Sequence, residues 1–173
     1  ANNEASNLAD AADIRVMAEI DDLTIEDITI QNSPGDAFRI DGPSTSNRAT
    51  DITLRNVEID SCAEGVMWLN TDGFEAIDCH VHDLTEQDGF EPNSGSINWT
   101  IRGGRIERTG QAAVDVYGGA DKGRIVNVEI RDLTNSVGIH VSHTGAAATD
   151  ITVDGCEIHD LDGDLVDEAL AVV

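Results

Sequence analysis

Aromatic side chains are scarce, 3% of 173 residues. A core made from this chain must therefore rest mainly on Ile, Val, Leu and Ala. Cations are scarce as well. Ten Lys and Arg stand against 34 Asp and Glu, for a net charge of −24. Such a field repels phosphate backbones and anionic bilayers, so neither nucleic acid nor membrane insertion is expected. The cysteines are Cys62, Cys79 and Cys156. An odd number at irregular spacing is neither a disulfide framework nor a zinc pattern, and no metal is expected from it. No apolar run is long enough to span a bilayer. The opening residues, ANNEASNLADAAD, carry neither the basic nor the apolar part of a secretory leader.

Hydrophobic residues make up 40% of the chain, which rules out a disordered acidic tail and suits one domain with a real core. The acids are spread through the whole sequence rather than gathered in one tail. With so few lysines, that distribution points to a protein adapted to high salt, where ions screen its self-repulsion.

Six segments superimpose: LTIEDITI from 23, ITLRNVEI from 52, FEAIDCHV from 74, WTIRGGRI from 99, GRIVNVEI from 123 and ITVDGCEI from 151. Their starts lie 29, 22, 25, 24 and 28 residues apart, the period of a solenoid. Each segment reads strand, tight turn, strand. The turn holds Asp27, Asn56, Asp78, Gly103, Asn127 and Gly155, residue types that tolerate left-handed backbone. Three places later stands an aliphatic: Ile30, Ile59, Val81, Ile106, Ile130 and Ile158. With Ile28, Val57 and Val128, these are expected inside. The alternation has period two, and no helical stretch competes with it.

A third strand follows in each unit: AFRID from 37, GVMWLN from 65, GFEPN from 89, AVDVY from 113, GIHVS from 138 and LVDEAL from 165. DIRVM, from 13, reads as the third strand of an earlier coil. The expected fold is all-β, a right-handed parallel β-helix of about six coils of three short strands. Residues 1–173 form one domain, which starts inside the pattern and ends without a cap. It is therefore expected to be a piece of a longer chain.

Stacked strands lie about 4.8 Å apart, so equivalent residues form ladders. Phe38, Val66, Phe90, Val114, Ile139 and Val166 should point inward. Arg39, Met67, Glu91, Asp115, His140 and Asp167 should then line the outer face, with Arg15 before them. Asp41, Asn93, Tyr117 and Ser142 follow, and Asp36, Glu64 and Asp88 come just before the strand. If the protein is an enzyme, Glu91 and Asp115 on adjacent coils are expected to form an acid and base pair at a separation that suits a retaining glycosidase, with His140 and Asp88 assisting. Arg39, Asn93 and Tyr117 are the expected substrate-binding groups. Pro92 has no N–H for the ladder and should distort the strand beside Glu91. His80, His82 and His159 are expected as solvated surface histidines. Cys79 and Cys156 are expected in the core. No cofactor is expected; calcium is the ion that acidic turns such as Asp160, Asp162 and Asp164 could bind.

Over nearly the whole chain the repeats resemble the pectate-lyase-like β-helix superfamily. Within it, EQDGFEPNSGSINWT (86–100) looks like the polygalacturonase segment with paired aspartates before an outer strand. Asp88 matches the first aspartate, while Gly89 stands at the second. The family's Gly-His-Gly is replaced by RTGQA (108–112), and its Arg-Ile-Lys by Gly138–Ile139–His140. NTDG (70–73) carries a family motif's letters outside the register of the third strand. The resemblance implies that the third-strand face holds substrate. It leads to the expectation of an extracellular or cell-surface carbohydrate-active protein, a hydrolase or lyase acting on or binding a polysaccharide. A non-catalytic structural or adhesion module of a surface protein or viral fibre is the alternative on the same fold.

Overall fold

The computed structural model describes residues 12–17, 19–141, 146–162 and 170–172. Among them there is no helix; every regular element is a strand, and every strand pairing is parallel. The chain winds as a β-solenoid of about six turns, and each turn passes through three sheets.

The first sheet contains Asp21–Glu26, Ala49–Arg55, Glu75–Ile77, Thr100–Arg102, Arg124–Val126 and Thr152–Asp154, with Thr71–Asp72 added against Ala49 and Thr50. The second contains Thr29–Gln31, Glu58–Asp60, His80–His82, Arg105–Glu107, Glu129–Thr134 and Glu157–Asp162. The third contains Ala12–Val16, Asp36–Asp41, Glu64–Leu69, Phe90–Pro92, Ala112–Val116, Val137–Val141 and Leu170–Val172. The segment from 13 is thus the third strand of an earlier coil, as the pattern requires.

The bend between the first two sheets falls on the expected residues. Asp27, Asn56, Asp78, Gly103, Asn127 and Gly155 have φ of 57°, 48°, 51°, 62°, 54° and 64°. A left-handed residue reverses the local twist within one position, so the strand can turn a corner without a loop. Sequence reasoning missed two further columns at the same spacing. Asp22, Asp51, Gly73, Asn98, Lys122 and Asp150 lie five residues before, and Asn32, Ser61, Asp83, Arg108, Asp132 and Asp160 five residues after; all have positive φ. Lys122 and Arg108 are not turn formers, and they hide these columns from a search by residue type.

The inner row is apolar. Ile30, Val57, Ile59, Val81, Ile106, Val128 and Ile130 are at most 7% exposed. Ile28 and Ile158 are only half-buried, because each sits near an end of the stack. The core is mainly Ile, Val, Leu and Ala, as expected, with the few aromatics added to it. Trp68, Trp99, Phe38, Phe74 and Phe90 are the bulkiest fully buried side chains. Trp68 stacks on Phe74 at 4.1 Å and meets Phe90 and Trp99 edge-on at 6.3 and 6.0 Å. Few aromatics suffice because they gather in the middle coils. Cys62 and Cys79 are buried thiols; Cys156, expected in the core, is half-buried in the terminal coil.

Phe38, Val66, Phe90, Val114 and Ile139 point inward on the third sheet as expected. The last strand departs from the expected register. Ile139 pairs with Leu170 and His140 with Ala171, where residues 166 and 167 were expected. Val166 and Asp167 lie outside the described residues, as do Ser142 and Asp164. Around Pro92 the ladder thins. Phe90–Pro92 pairs over three residues with the preceding coil, but its register with the following coil is reduced to Phe90↔Val114. A missing N–H on that side accounts for the loss.

Candidate functional site: a buried carboxylate row on the third sheet

The outer ladder of the third sheet runs Arg15, Arg39, Met67 and Glu91 in register, then Asp115, His140 and Ala171. Phe90↔Val114 sets Glu91 beside Asp115. A parallel column starts each strand: Asp36 pairs with Glu64, and Asp88 holds the same place on the next coil.

Register alone does not convey how deeply these acids sit. Asp36, Glu64, Asp88 and Glu91 are 1%, 2%, 5% and 8% exposed. Asp115, Arg39 and His140 are half-buried. The close approach of the coils helps to bury them. A side chain at Gly89 would place its Cβ 2.5 Å from the Ala113 carbonyl oxygen, so only glycine lets the backbones meet there.

Burial raises every one of these pKa values, because a carboxylate loses its hydration. Glu64 is pushed up to about 10, by burial first and then by the carboxyls of Glu91 and Asp36. A shift of this size favours the protonated, neutral acid near pH 7. Asp88 is pushed up to about 7, by burial and then by the charge on Asp115; the Ala112 N–H, donating to Asp88 Oδ1 at 2.7 Å, opposes this. Glu91 is raised by burial and held down by the hydrogen bond from Glu64. Asp115 is raised by burial and held down by His140, whose Nδ1 lies 3.0 Å from Asp115 Oδ1. Asp36 is raised by burial against the opposing effects of Glu64 and Arg39.

The substrate-binding candidates lie around this row. Asn93 Nδ2 donates to Glu91 Oε1 at 2.5 Å. Arg39 is held by Asp41 at 3.0 Å and Asp36 at 3.3 Å. Tyr117 is half-buried at the end of the following strand, its N–H donating to the Pro92 carbonyl at 2.9 Å. Asp36 and Glu64 were seen in the sequence but not placed in the site. The signal was a carboxylate opening three successive third strands, at 36, 64 and 88. A cavity of about 280 Å³ opens beside Asp36 and Glu64, walled by Ser33, Ala63, Glu86 and Gln87.

His80 and His159 lie at the surface as expected, whereas His82 is largely covered, and each is paired with a carboxylate. His82 lies 2.7 Å from Asp83 and 3.4 Å from Glu58, and His80 lies 3.2 Å from Glu107. His159 shares its ladder three coils away, too far to join them. Asp160, one of the acidic turn residues, contacts His159 at 2.7 Å.

The description of a right-handed β-helix region matches residues 2–158. The chain belongs to the right-handed β-helix family. No curated protein matches it, and no solved structure does. The three parallel sheets of this right-handed β-helix are consistent with the pectate-lyase-like superfamily. The polygalacturonase pair of aspartates is a different matter. The β-helix backbone at Gly89 has no space for the second carboxylate, since the Cβ would also lie 2.8 Å from Ile106 Cγ2. The carboxyls present on this face are those of Asp36, Glu64, Asp88, Glu91 and Asp115.

Proposed function

We propose that this β-helix is an extracellular or cell-surface protein that hydrolyses a polysaccharide along its third-sheet face. The observation that carries the reading is the burial of four carboxylates, none more than 8% exposed, on one face of a chain rich in solvent-facing acids. Holding carboxyls away from water costs several kcal/mol each unless they are paired, and such clusters are commoner at sites than in scaffolds. Of these four, only Asp36 has an arginine partner among the described residues.

Glu91 and Asp115 face the same stretch of substrate, on adjacent coils. Asp115, next to His140, is the ionised partner. Asp88, titrating near neutrality, can give or take a proton at working pH. Glu64 and Asn93 hold Glu91 in place. Hydrolysis fits better than elimination, because a lyase needs a free cation beside the substrate acid. Arg15 and Arg39 are both engaged with Asp41. A neutral polysaccharide fits better than a polyuronate, since the net charge of −24 and the acid row repel anions.

A panel of neutral polysaccharides, incubated in molar salt with product analysis, tests this. Glu91→Gln and Asp115→Asn should each lower the rate by about 10²–10⁴ while leaving the melting temperature within a few degrees. Full activity in either variant removes the assignment. One observation favours a non-catalytic module instead: the cavity of about 280 Å³ on this face is lined by Asp36 and Glu64, and neither Glu91 nor Asp115 is among its lining residues. A parent protein that binds sugar and yields no product establishes that reading.

A further inference from the structure

Outside the acid row, the second sheet carries a cluster that the carbohydrate reading does not use. His80 and His82 project from one strand to the same side, with ring centroids 4.3 Å apart. On the neighbouring coil, Glu58 is in register with His80 and Asp60 with His82. One ligand atom from each of Glu58, His80 and His82 lies within 4.8 Å of the others. The geometry points to a binding site here for one divalent transition-metal ion of the zinc class, held by His80, His82 and Glu58.

Ligand chemistry supports that ion. Two imidazoles and one carboxylate suit zinc, cobalt or nickel, whereas calcium wants oxygen alone. Each ring is already oriented by a carboxylate on one nitrogen. Asp83 Oδ2 lies 2.7 Å from His82 Nδ1, and Glu107 Oε1 lies 3.2 Å from His80 Nε2. Metal-bound histidines are held in this way, and the other ring nitrogen is left for the ion. His82 Nε2 faces Glu58 Oε1 at 3.4 Å.

Charge balance points the same way. Glu58, Asp60 and Asp83 surround His82. Arg108 takes Asp83, at 2.6 Å. Glu58 and Asp60 have no lysine or arginine partner among the described residues; Thr29 and Ser61 hydroxyls donate to them instead. A single imidazolium cannot neutralise both, and a divalent ion can. The site joins two successive coils, so an ion there clips the stack together. Three protein ligands leave a position open to water.

The test is titration of the metal-free protein with Co²⁺ and Zn²⁺ at pH 8 in molar salt. Saturable binding of one equivalent is expected, with visible Co²⁺ bands and a rise in melting temperature on adding Zn²⁺. His80→Ala and His82→Ala should each abolish saturation, while Asp83→Asn should weaken binding about tenfold through the orientation of His82. His159→Ala should bind like the parent. Glu58→Gln, at an exposed position, keeps the test interpretable if a histidine variant misfolds, and it should lose the ion too. Absence of saturable binding in the parent overturns the proposal. Full affinity in His80→Ala also overturns it, because the ion would then sit among Asp60, His82 and Asp83.

Discussion

Asn56 stands in the turn column with φ of 48°, and its Nδ2 donates to Asp27 Oδ1 of the coil below at 2.7 Å. Alanine there loses both the tolerance of left-handed backbone and the bond. Asn56→Ala should cost about 1–2 kcal/mol, while Asn56→Gly should cost clearly less. Urea midpoints of the two variants check this, and equal midpoints would contradict it. Glu64 permits a second residue-scale prediction. Its folded pKa is raised from 4.5 to about 10, so the folded chain keeps a proton that the unfolded chain sheds. Stability from this group is therefore greatest in acid and declines as pH rises between those values. The slope is on the order of 1 kcal/mol per pH unit. Glu64→Gln keeps the neutral shape and removes the linkage. Its stability relative to the parent should climb steadily from pH 5 to pH 9 in urea melts, and a constant difference would contradict the raised pKa.

Elements this short depend on each other. A three-residue strand such as Thr100–Arg102 has little stability alone, and it persists because coils pack on both sides of it. The middle coils have the densest packing, where Trp99 and Trp68 meet Phe74 and Phe90. Gly123 lies against this cluster, and a Cβ there would come within 1.9 Å of Trp99 Cζ2. Gly123→Ala forces the indole to shift and should destabilise the protein by about 1–3 kcal/mol. Near-ultraviolet circular dichroism should report altered tryptophan packing. An unchanged spectrum and melting temperature would show that the cluster has slack.

At the scale of the molecule, charge dominates. A net charge of −24 on 173 residues means that much of the surface repels itself. Local networks offset part of this. Glu107 meets Arg131 at 2.8 Å and Arg108 at 3.0 Å, and these partners outweigh burial to hold its pKa down at about 2. Most acids have no such partner among the described residues. Melting temperature should therefore rise between low and molar potassium chloride, as ions screen the repulsion. A flat or falling trend would count against adaptation to high salt. No helix among the described residues is long and apolar enough to cross a membrane.

The fold was legible in the sequence because a solenoid repeats its physics in every coil. Six turn residues and six aliphatics at one offset are enough to set strand, corner and inner face, and register follows because a slip of one would turn the aliphatics outward. Arg39, Met67 and Glu91 fell on the outer ladder for that reason, as did Asp115 and His140. Where the repeat weakens, the reading weakened with it. The last strand pairs at Leu170 rather than near Leu165. Burial depth was decided by the tertiary structure alone. An acid at 64 looks like any other of the 34, and its pKa is raised only because the fold buries it beside Asp36 and Glu91. The same holds for Glu58, His80 and His82. They are separated by 22 and 24 residues from 58 and gain chemical meaning only through the stacking of two coils. Sequence records which residues repeat, whereas distance and hydration belong to the contacts between coils.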